Sequence, residues 1–196
     1  MSGARSRRHT TASRQPATAH SRRQWGWHRL EPEWAQRIVD ASPTRAGDLV
    51  LDLGAGTGAL TRPLSMIHAR VLAVELNATR AARLRRRFHD DPVTVIHTDL
   101  RDLHLPRQTF RVVASPPYSL STQALRLLLS SDRLLSADLV LQQAVARRLA
   151  ASPPHARHTN RYLLSLGMQV PRRAFAPPPR VDSMVLRVRR VGQPDA

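Results

Sequence analysis

At 196 residues the chain is long enough for one domain with a sizeable core. Its 31 basic side chains, every one an arginine, exceed the 14 acidic ones for a formal charge of +17, which points to an anionic polymer, nucleic acid ahead of an anionic membrane surface. No cysteine is present, which excludes disulfides and thiolate chemistry; the nine histidines lack metal-ligand spacing, so no metal is expected. No apolar run nears the ~20 residues of a membrane span and no signal-peptide core is visible, so the expectation is a soluble, cytoplasmic protein.

Residues 1–24 hold Arg5, Arg7, Arg8, Arg14, Arg22 and Arg23, no acid, and little apolar beyond alanine. Such a stretch cannot form a core and reads as a disordered basic tail, with Arg22 and Arg23 available to RNA phosphates. An organelle transit peptide shares this composition, although nothing else in the chain points to an organelle. A folded domain is expected over 25–190, with 191–196 a short tail.

WGWHR at 25–29 sets two tryptophans around a glycine. A helix follows from Pro32 to Ala41, with Trp34, Ile38 and Ala41 on one face. Gly47-Asp48 turns into an unbroken apolar strand, Leu49–Leu53. Strand and helix then alternate: a helix from about Ala59, strand Val71–Glu75, helix Ala78–Phe88, strands Val93–His97 and Phe110–Ser115, and helix Thr122–Leu129. Strand Leu139–Gln142 leads into another helix, and two apolar stretches, Tyr162–Val170 and Val181–Val188, flank the Pro-rich AFAPPPR. Continuous apolar strands, each followed by a helix, predict an α/β fold with a parallel sheet covered on both faces.

LDLGAGTG, Leu51 to Gly58, ends the first long strand and opens a helix. Its glycines allow a tight turn and close approach to a ligand. The spacing is G-x-G-x-G, not G-x-G-x-x-G, and no lysine follows, so neither a dinucleotide site nor a phosphate loop fits. Asp52, two positions before Gly54, repels a pyrophosphate and welcomes the ammonium of S-adenosylmethionine. Glu75 at the next strand end suits two ribose hydroxyls. Asp99, after the third strand, suits an exocyclic amine. Each acid alone also reads as an ordinary cap. Their placement at successive strand ends is what singles them out.

Ser115-Pro116-Pro117-Tyr118 ends a fourth strand. Two prolines cannot continue a ladder, so the chain turns, leaving an acceptor beside an aromatic plate at the sheet edge where α/β ligands bind. That pair suits a planar nucleobase with an exocyclic amine. Taken alone, the tetrapeptide reads equally as a Pro-rich turn.

Together these segments resemble the rRNA adenine dimethylase superfamily, and within it the Erm-type 23S rRNA methyltransferases. LDLGAGTGALT, VLAVELN, HTDLRDL and VVASPPYSLST are similar to the cofactor loop, ribose, adenine and catalytic segments. QQAVARRLAA and PRRAFAPPPRVDSMVLRVRR are similar to later motifs, where F-x-P-x-P-x-V-x-S recurs. The resemblance spans about 25–190 and implies a Rossmann-like class I methyltransferase fold. That fold has a seven-stranded, mostly parallel sheet with helices on both faces and an antiparallel C-terminal hairpin. It further implies S-adenosyl-L-methionine as cofactor and a base flipped out of structured RNA. Carried over by motif, Asp52, Gly54, Gly56 and Gly58 line the methionine end, Glu75 and Leu76 the ribose, Asp99 and Leu100 the adenine, with Trp27 a further cofactor contact. Ser115 and the Pro116 carbonyl hold the target amine, and Tyr118 stacks on its ring.

Three departures stand out. Ser115 occupies the family's usual Asn position, giving a hydroxyl acceptor with less reach. QWGWHRL replaces the QNF-like start. The chain ends soon after the last strand, so the family's helical C-terminal domain is expected to be missing. RNA affinity would then rest on the Arg tail, on Arg83, Arg85, Arg86 and Arg87, and on Arg147 and Arg148. A solvated helix face is the competing reading for the 83–87 run. The expectation is a monomeric methyltransferase acting on one adenine of 23S rRNA, with macrolide, lincosamide and streptogramin B resistance as its consequence. A housekeeping small-subunit rRNA dimethylase is the nearest alternative. A DNA cytosine-amine methyltransferase and a non-catalytic RNA-binding factor on the same fold remain further readings.

Overall fold

The computed structural model describes residues 28–154 and 160–192. Trp27, Arg22, Arg23 and the basic tail lie outside them, as do 193–196. In chain order the elements are β1 (Arg29–Leu30), α1 (Pro32–Asp40), β2 (Leu49–Leu53), α2 (Thr61–Met66), β3 (Arg70–Glu75), α3 (Ala78–Arg87) and β4 (Val93–His97). They continue with β5 (Phe110–Ala114), α4 (Ser121–Leu129), β6 (Leu134–Gln142), α5 (Gln143–Ala151), β7 (Tyr162–Val170), β8 (Phe175–Ala176) and β9 (Ser183–Arg190).

Seven strands form one sheet in the order β4-β3-β2-β5-β6-β9-β7. β2 to β6 run parallel, and β9 lies antiparallel between β6 and β7. This is the class I methyltransferase architecture expected from the sequence. The period of two explains the unbroken apolar strands. Val50, Val113, Val140 and Val185 face one side with Ile38, Val39 and Leu64 of α1 and α2. Leu51, Leu53, Val112, Leu139 and Leu141 face the other, with Leu125 and Leu128 of α4 and Leu149 of α5. Both faces are covered, so apolar side chains dominate each of them.

Several boundaries differ from the sequence reading, and two of the differences have a clear physical cause. The helix expected from Ala59 starts at Thr61, because the glycine loop first makes a series of turns. The strand expected at Leu139–Gln142 is the second half of a nine-residue strand from Leu134. Ser136 and Asp138 mask its first half, yet both are buried. Arg189 Nη2 of β9 donates to Asp138 Oδ1 at 2.9 Å, and such a pair is needed to keep a carboxylate inside a sheet.

The chain runs from β2 to β3 and β4 on one side, then crosses to β5 and β6 on the other. The loops after β2 and β5 therefore leave the carboxyl edge in opposite directions and open a crevice. A small antiparallel ribbon, β1 with β8, sits at this crevice and pairs Arg29 with Ala176 and Leu30 with Phe175.

Candidate active site

The crevice is a cavity of about 430 Å³, lined on one side by the loop after β2 and the ends of β3 and β4, on the other by the turn after β5 and the β1–β8 ribbon. Gly54, Gly56 and Gly58 all adopt positive φ. The amides of Gly54 and Ala55 both donate to the Val74 carbonyl at 2.9 Å, tying the loop to β3. A Cβ on Gly54 would stand 3.1 Å from Pro117 Cδ, so the glycine loop and the proline turn touch only because no side chain intervenes. Gly58 serves a different contact. Its Cβ would lie 2.7 Å from the Phe88 ring, and it does not line the cavity.

Three carboxylates face this space. Glu75 is buried; its Oε2 accepts from the Gly56 amide and its Oε1 from the Asn77 amide, both at 2.8 Å, with Arg80 Nη1 at 3.8 Å. Asp52 is buried at the end of β2 and accepts from the Thr61 hydroxyl at 2.7 Å. Burial pushes its pKa up to about 7, with neighbouring Glu75 adding to the rise against the Thr61 bond. Asp99 caps the turn after β4 and takes the Arg101 side chain at 2.7 and 3.1 Å, which holds its carboxyl below the ordinary range. Leu76 and Leu100 supply apolar lining beside Glu75 and Asp99.

Across the cavity, Ser115, Pro116, Pro117 and Tyr118 follow β5. The Leu120 amide donates to the Pro117 carbonyl at 2.8 Å and the Ser121 hydroxyl to the Tyr118 carbonyl at 2.9 Å, so the turn is braced from behind. The Tyr118 hydroxyl meets Ser183 Oγ at 2.8 Å, and burial raises its pKa. His28 stacks beside the tyrosine ring, at 6.0 Å between centroids.

The structure thus brings Asp52, Gly54, Gly56, Glu75, Leu76, Asp99, Leu100, Ser115, Pro116 and Tyr118 to one cavity. Arg147 and Arg148 are exposed on α5, with Arg148 reaching the Thr122 hydroxyl of α4 at 3.3 Å. In the 83–87 run, Arg85 donates to the Val95 carbonyl at 3.3 Å and Arg87 to the Thr57 carbonyl at 2.9 Å, so both brace the fold. His28, Phe175 and Ser183 are among the site neighbours to which the sequence reading gave no role. The signal for two of them was present: Phe175 and Ser183 are the first and last letters of F-x-P-x-P-x-V-x-S. Among the described residues no cluster of three or more His, Cys, Asp or Glu is arranged to hold a metal, and no helix is long and apolar enough to cross a membrane.

A sequence profile described as ribosomal RNA adenine dimethylase matches residues 20–195. An rRNA adenine N-6-methyltransferase of Corynebacterium diphtheriae is 35% identical over 161 residues, spanning 80% of this chain and 63% of that protein. A ribosomal RNA small subunit methyltransferase A of Thermosynechococcus vestitus is 36% identical over 201 residues, spanning 89% and 74%. The crystal structure of the 23S rRNA methyltransferase ErmE matches with a TM-score of 0.76 at 27% identity, covering 86% of this chain and 72% of that one. The chain accordingly spans less than two thirds of the corynebacterial relative's length. It belongs to the ribosomal RNA adenine dimethylase family.

Proposed function

We propose that this protein methylates the exocyclic amine of a specific adenine in 23S rRNA, using S-adenosyl-L-methionine. The observation that carries the reading is the contact of the two motifs at Gly54: the cofactor-type loop and the Ser115–Tyr118 turn share one cavity wall to wall. Asp52, Glu75 and Asp99 fit that cofactor by chemistry. Three carboxylates around one space oppose a pyrophosphate and suit an ammonium, a pair of hydroxyls and an amine. Glu75 spends one lone pair of each oxygen on a backbone amide, leaving the others for hydroxyl donors. When bound, the cofactor supplies a sulfonium-activated methyl group.

The chain's own residues then have a limited task. Adenine's amine lone pair is delocalised into the ring, so the nitrogen is a poor nucleophile. Acceptors at Ser115 Oγ and the Pro116 carbonyl, taking both amine hydrogens, favour a more tetrahedral nitrogen and free its lone pair. They strengthen as positive charge develops there, which lowers the barrier more than the ground state. Tyr118 fixes the ring plane by stacking, and its hydroxyl is held by Ser183. The proton leaves to water, since a protonated aryl amine is strongly acidic. Exposed Arg147 and Arg148, with Arg22 and Arg23 of the tail, supply phosphate contacts.

Likeness to ErmE supports the large-subunit target, and with it resistance to macrolides, lincosamides and streptogramin B. The second reading, a small-subunit rRNA dimethylase, is favoured by the similarity to the Thermosynechococcus protein, which spans more of this chain. Primer extension on rRNA from cells with and without the protein separates them. A new stop at an adenine of 23S rRNA is expected; a stop in 16S rRNA instead would transfer the assignment.

A further inference from the structure

We propose that a depression beside the end of α1, at the sheet edge away from the active site, holds a backbone phosphate of the RNA substrate. The inference rests on the proposed RNA substrate and adds a contact that none of the motifs carries. The depression has a volume of about 600 Å³ and shares no lining residue with the cavity at the carboxyl edge. Arg187, Arg189 and Arg190 of β9 line it with Ser42 and Ser165, and among the described residues none of the lining is acidic. Arg187 and Arg189 follow Ser183, which holds Tyr118, by four and six residues along β9. At a rise of ~3.3 Å per residue they stand ~13 and ~20 Å from that end of the strand. Roughly four to six stacked nucleotides cover such a distance, so one RNA strand can reach both sites.

Alternation along β9 turns Arg187 and Arg189 to the face that Val185 lines, and Asp138 of β6 lies on the same face. Asp138 is buried, and its Oδ1 lies 2.9 Å from Arg189 Nη2 and 3.9 Å from Arg187 Nε. One carboxylate thus serves two guanidiniums and can neutralise only one of them. Arg189 also donates from Nη1 to the carbonyls of Ala137 and Val188, at 3.1 and 3.0 Å. Arg187 differs. Its side chain is 37% exposed, while its Nε is buried with no hydrogen-bond acceptor among the described residues. Arg190 donates from Nη1 to the Asp132 carbonyl at 2.9 Å, a neutral acceptor that leaves its charge in place.

β7 makes room for Arg187. Its register shifts between Leu166 and Gln169, and a Cβ on Gly167 would stand 2.8 Å from Arg187 Nε. A guanidinium laid against a glycine and tethered near a buried carboxylate has lost much of its freedom before an anion arrives. Its remaining N–H groups and the exposed Ser165 hydroxyl are the donors that phosphate oxygens take. A free phosphate ion shares that chemistry, but the chain's formal charge of +17 favours a polyanion.

The test titrates a fluorescein-labelled, adenine-containing RNA hairpin with the full chain, at saturating S-adenosylhomocysteine and over a series of KCl concentrations. Anisotropy gives the affinity, and its logarithm against that of the salt has a slope that counts phosphate contacts. Arg187→Gln/Arg190→Gln should weaken binding by about five- to ten-fold at moderate salt and flatten the slope by about 1 to 2. Arg107→Gln/Arg126→Gln, an equal loss of exposed charge outside both cavities, should keep the wild-type slope. Ser165→Asp keeps every arginine and should weaken binding to a similar extent, which decides the question if the double variant does not fold. Equal S-adenosylhomocysteine affinity checks the fold of each variant. Wild-type RNA binding by a folded Arg187→Gln/Arg190→Gln or by Ser165→Asp would overturn the proposal, and so would an equal loss of slope in the control pair. Thermal stabilisation by inorganic phosphate that the double variant lacks, with RNA binding unchanged, also overturns it, because the depression then takes a free ion. A wild type that binds S-adenosylhomocysteine but no RNA is a different result and strikes the RNA substrate reading as well.

Discussion

The wall carrying Gly54, Gly56, Glu75 and Asp99 is assembled from the ends of β2, β3 and β4, which are consecutive in the chain and adjacent in the sheet. The facing wall joins His28, the turn at Ser115–Tyr118 and the segment from Phe175 to Ser183. Its two key hydrogen bonds span 149 residues from His28 to Pro177 and 65 from Tyr118 to Ser183. Short-range assembly lets the first wall form with the parallel half-sheet, at small loop-closure cost. The second depends on β9, which lies between β6 and β7 and brings Ser183 to Tyr118. Cofactor binding and base binding should therefore respond to different substitutions.

The largest separation is expected from Tyr118→Ala. It removes a plate and a hydroxyl anchored on Ser183 but touches none of the three cofactor-side carboxylates. Methyl transfer should fall on the order of 10²-fold or more while cofactor affinity, measured by equilibrium binding, stays within a few-fold. Normal turnover would remove Tyr118 from its role, and a parallel loss of cofactor affinity would show that the two walls are not independent.

Gly54→Ala attacks the place where the glycine loop meets the proline turn. Its φ of +76° costs an L-residue about 1–2 kcal/mol. The added Cβ also lies 3.1 Å from a stiff proline ring that has little room to retreat. We expect cofactor affinity and turnover to fall together, each by roughly ten-fold. A variant impaired in only one of them would mean that the loop and the turn are not mechanically coupled at Gly54.

The same contrast governs what the sequence discloses. Glycines, carboxylates and prolines at successive strand ends announce themselves because each local pattern has few physical explanations, and all of them but Gly58 reach the cavity. His28 does not announce itself: it is one polar residue among arginines and tryptophans, and only the β1–β8 ribbon brings it to Tyr118. Ser183 lies in an apolar strand, where a hydroxyl with a partner and one without look alike in sequence. Gly58 misled in the opposite direction, since its positive φ serves packing on Phe88 and not the cavity. The long β6 was half hidden by Ser136 and Asp138, whose burial becomes tolerable only with arginine partners from β5 and β9.

The effect most specific to the cofactor wall concerns Asp52, and it shows only as a dependence on pH. Its carboxyl titrates near 7 in the folded protein because burial disfavours the charge, against 3.8 for the free side chain. Two opposite pH dependences follow. Between about pH 4 and 7 the folded state holds a proton that the unfolded chain has released, so this group's contribution to stability declines as pH rises through that window. A cationic ligand end needs the ionised form, so cofactor affinity should instead climb as pH rises, by about ten-fold from pH 6 to 8. Asp52→Asn keeps an acceptor for the Thr61 hydroxyl while abolishing the titration. Thermal melts and cofactor titrations across this range should lose both slopes in that variant. If the affinity slope survives in Asp52→Asn, the proton belongs to another group, and Asp52 shapes the loop through Thr61 without meeting the ammonium.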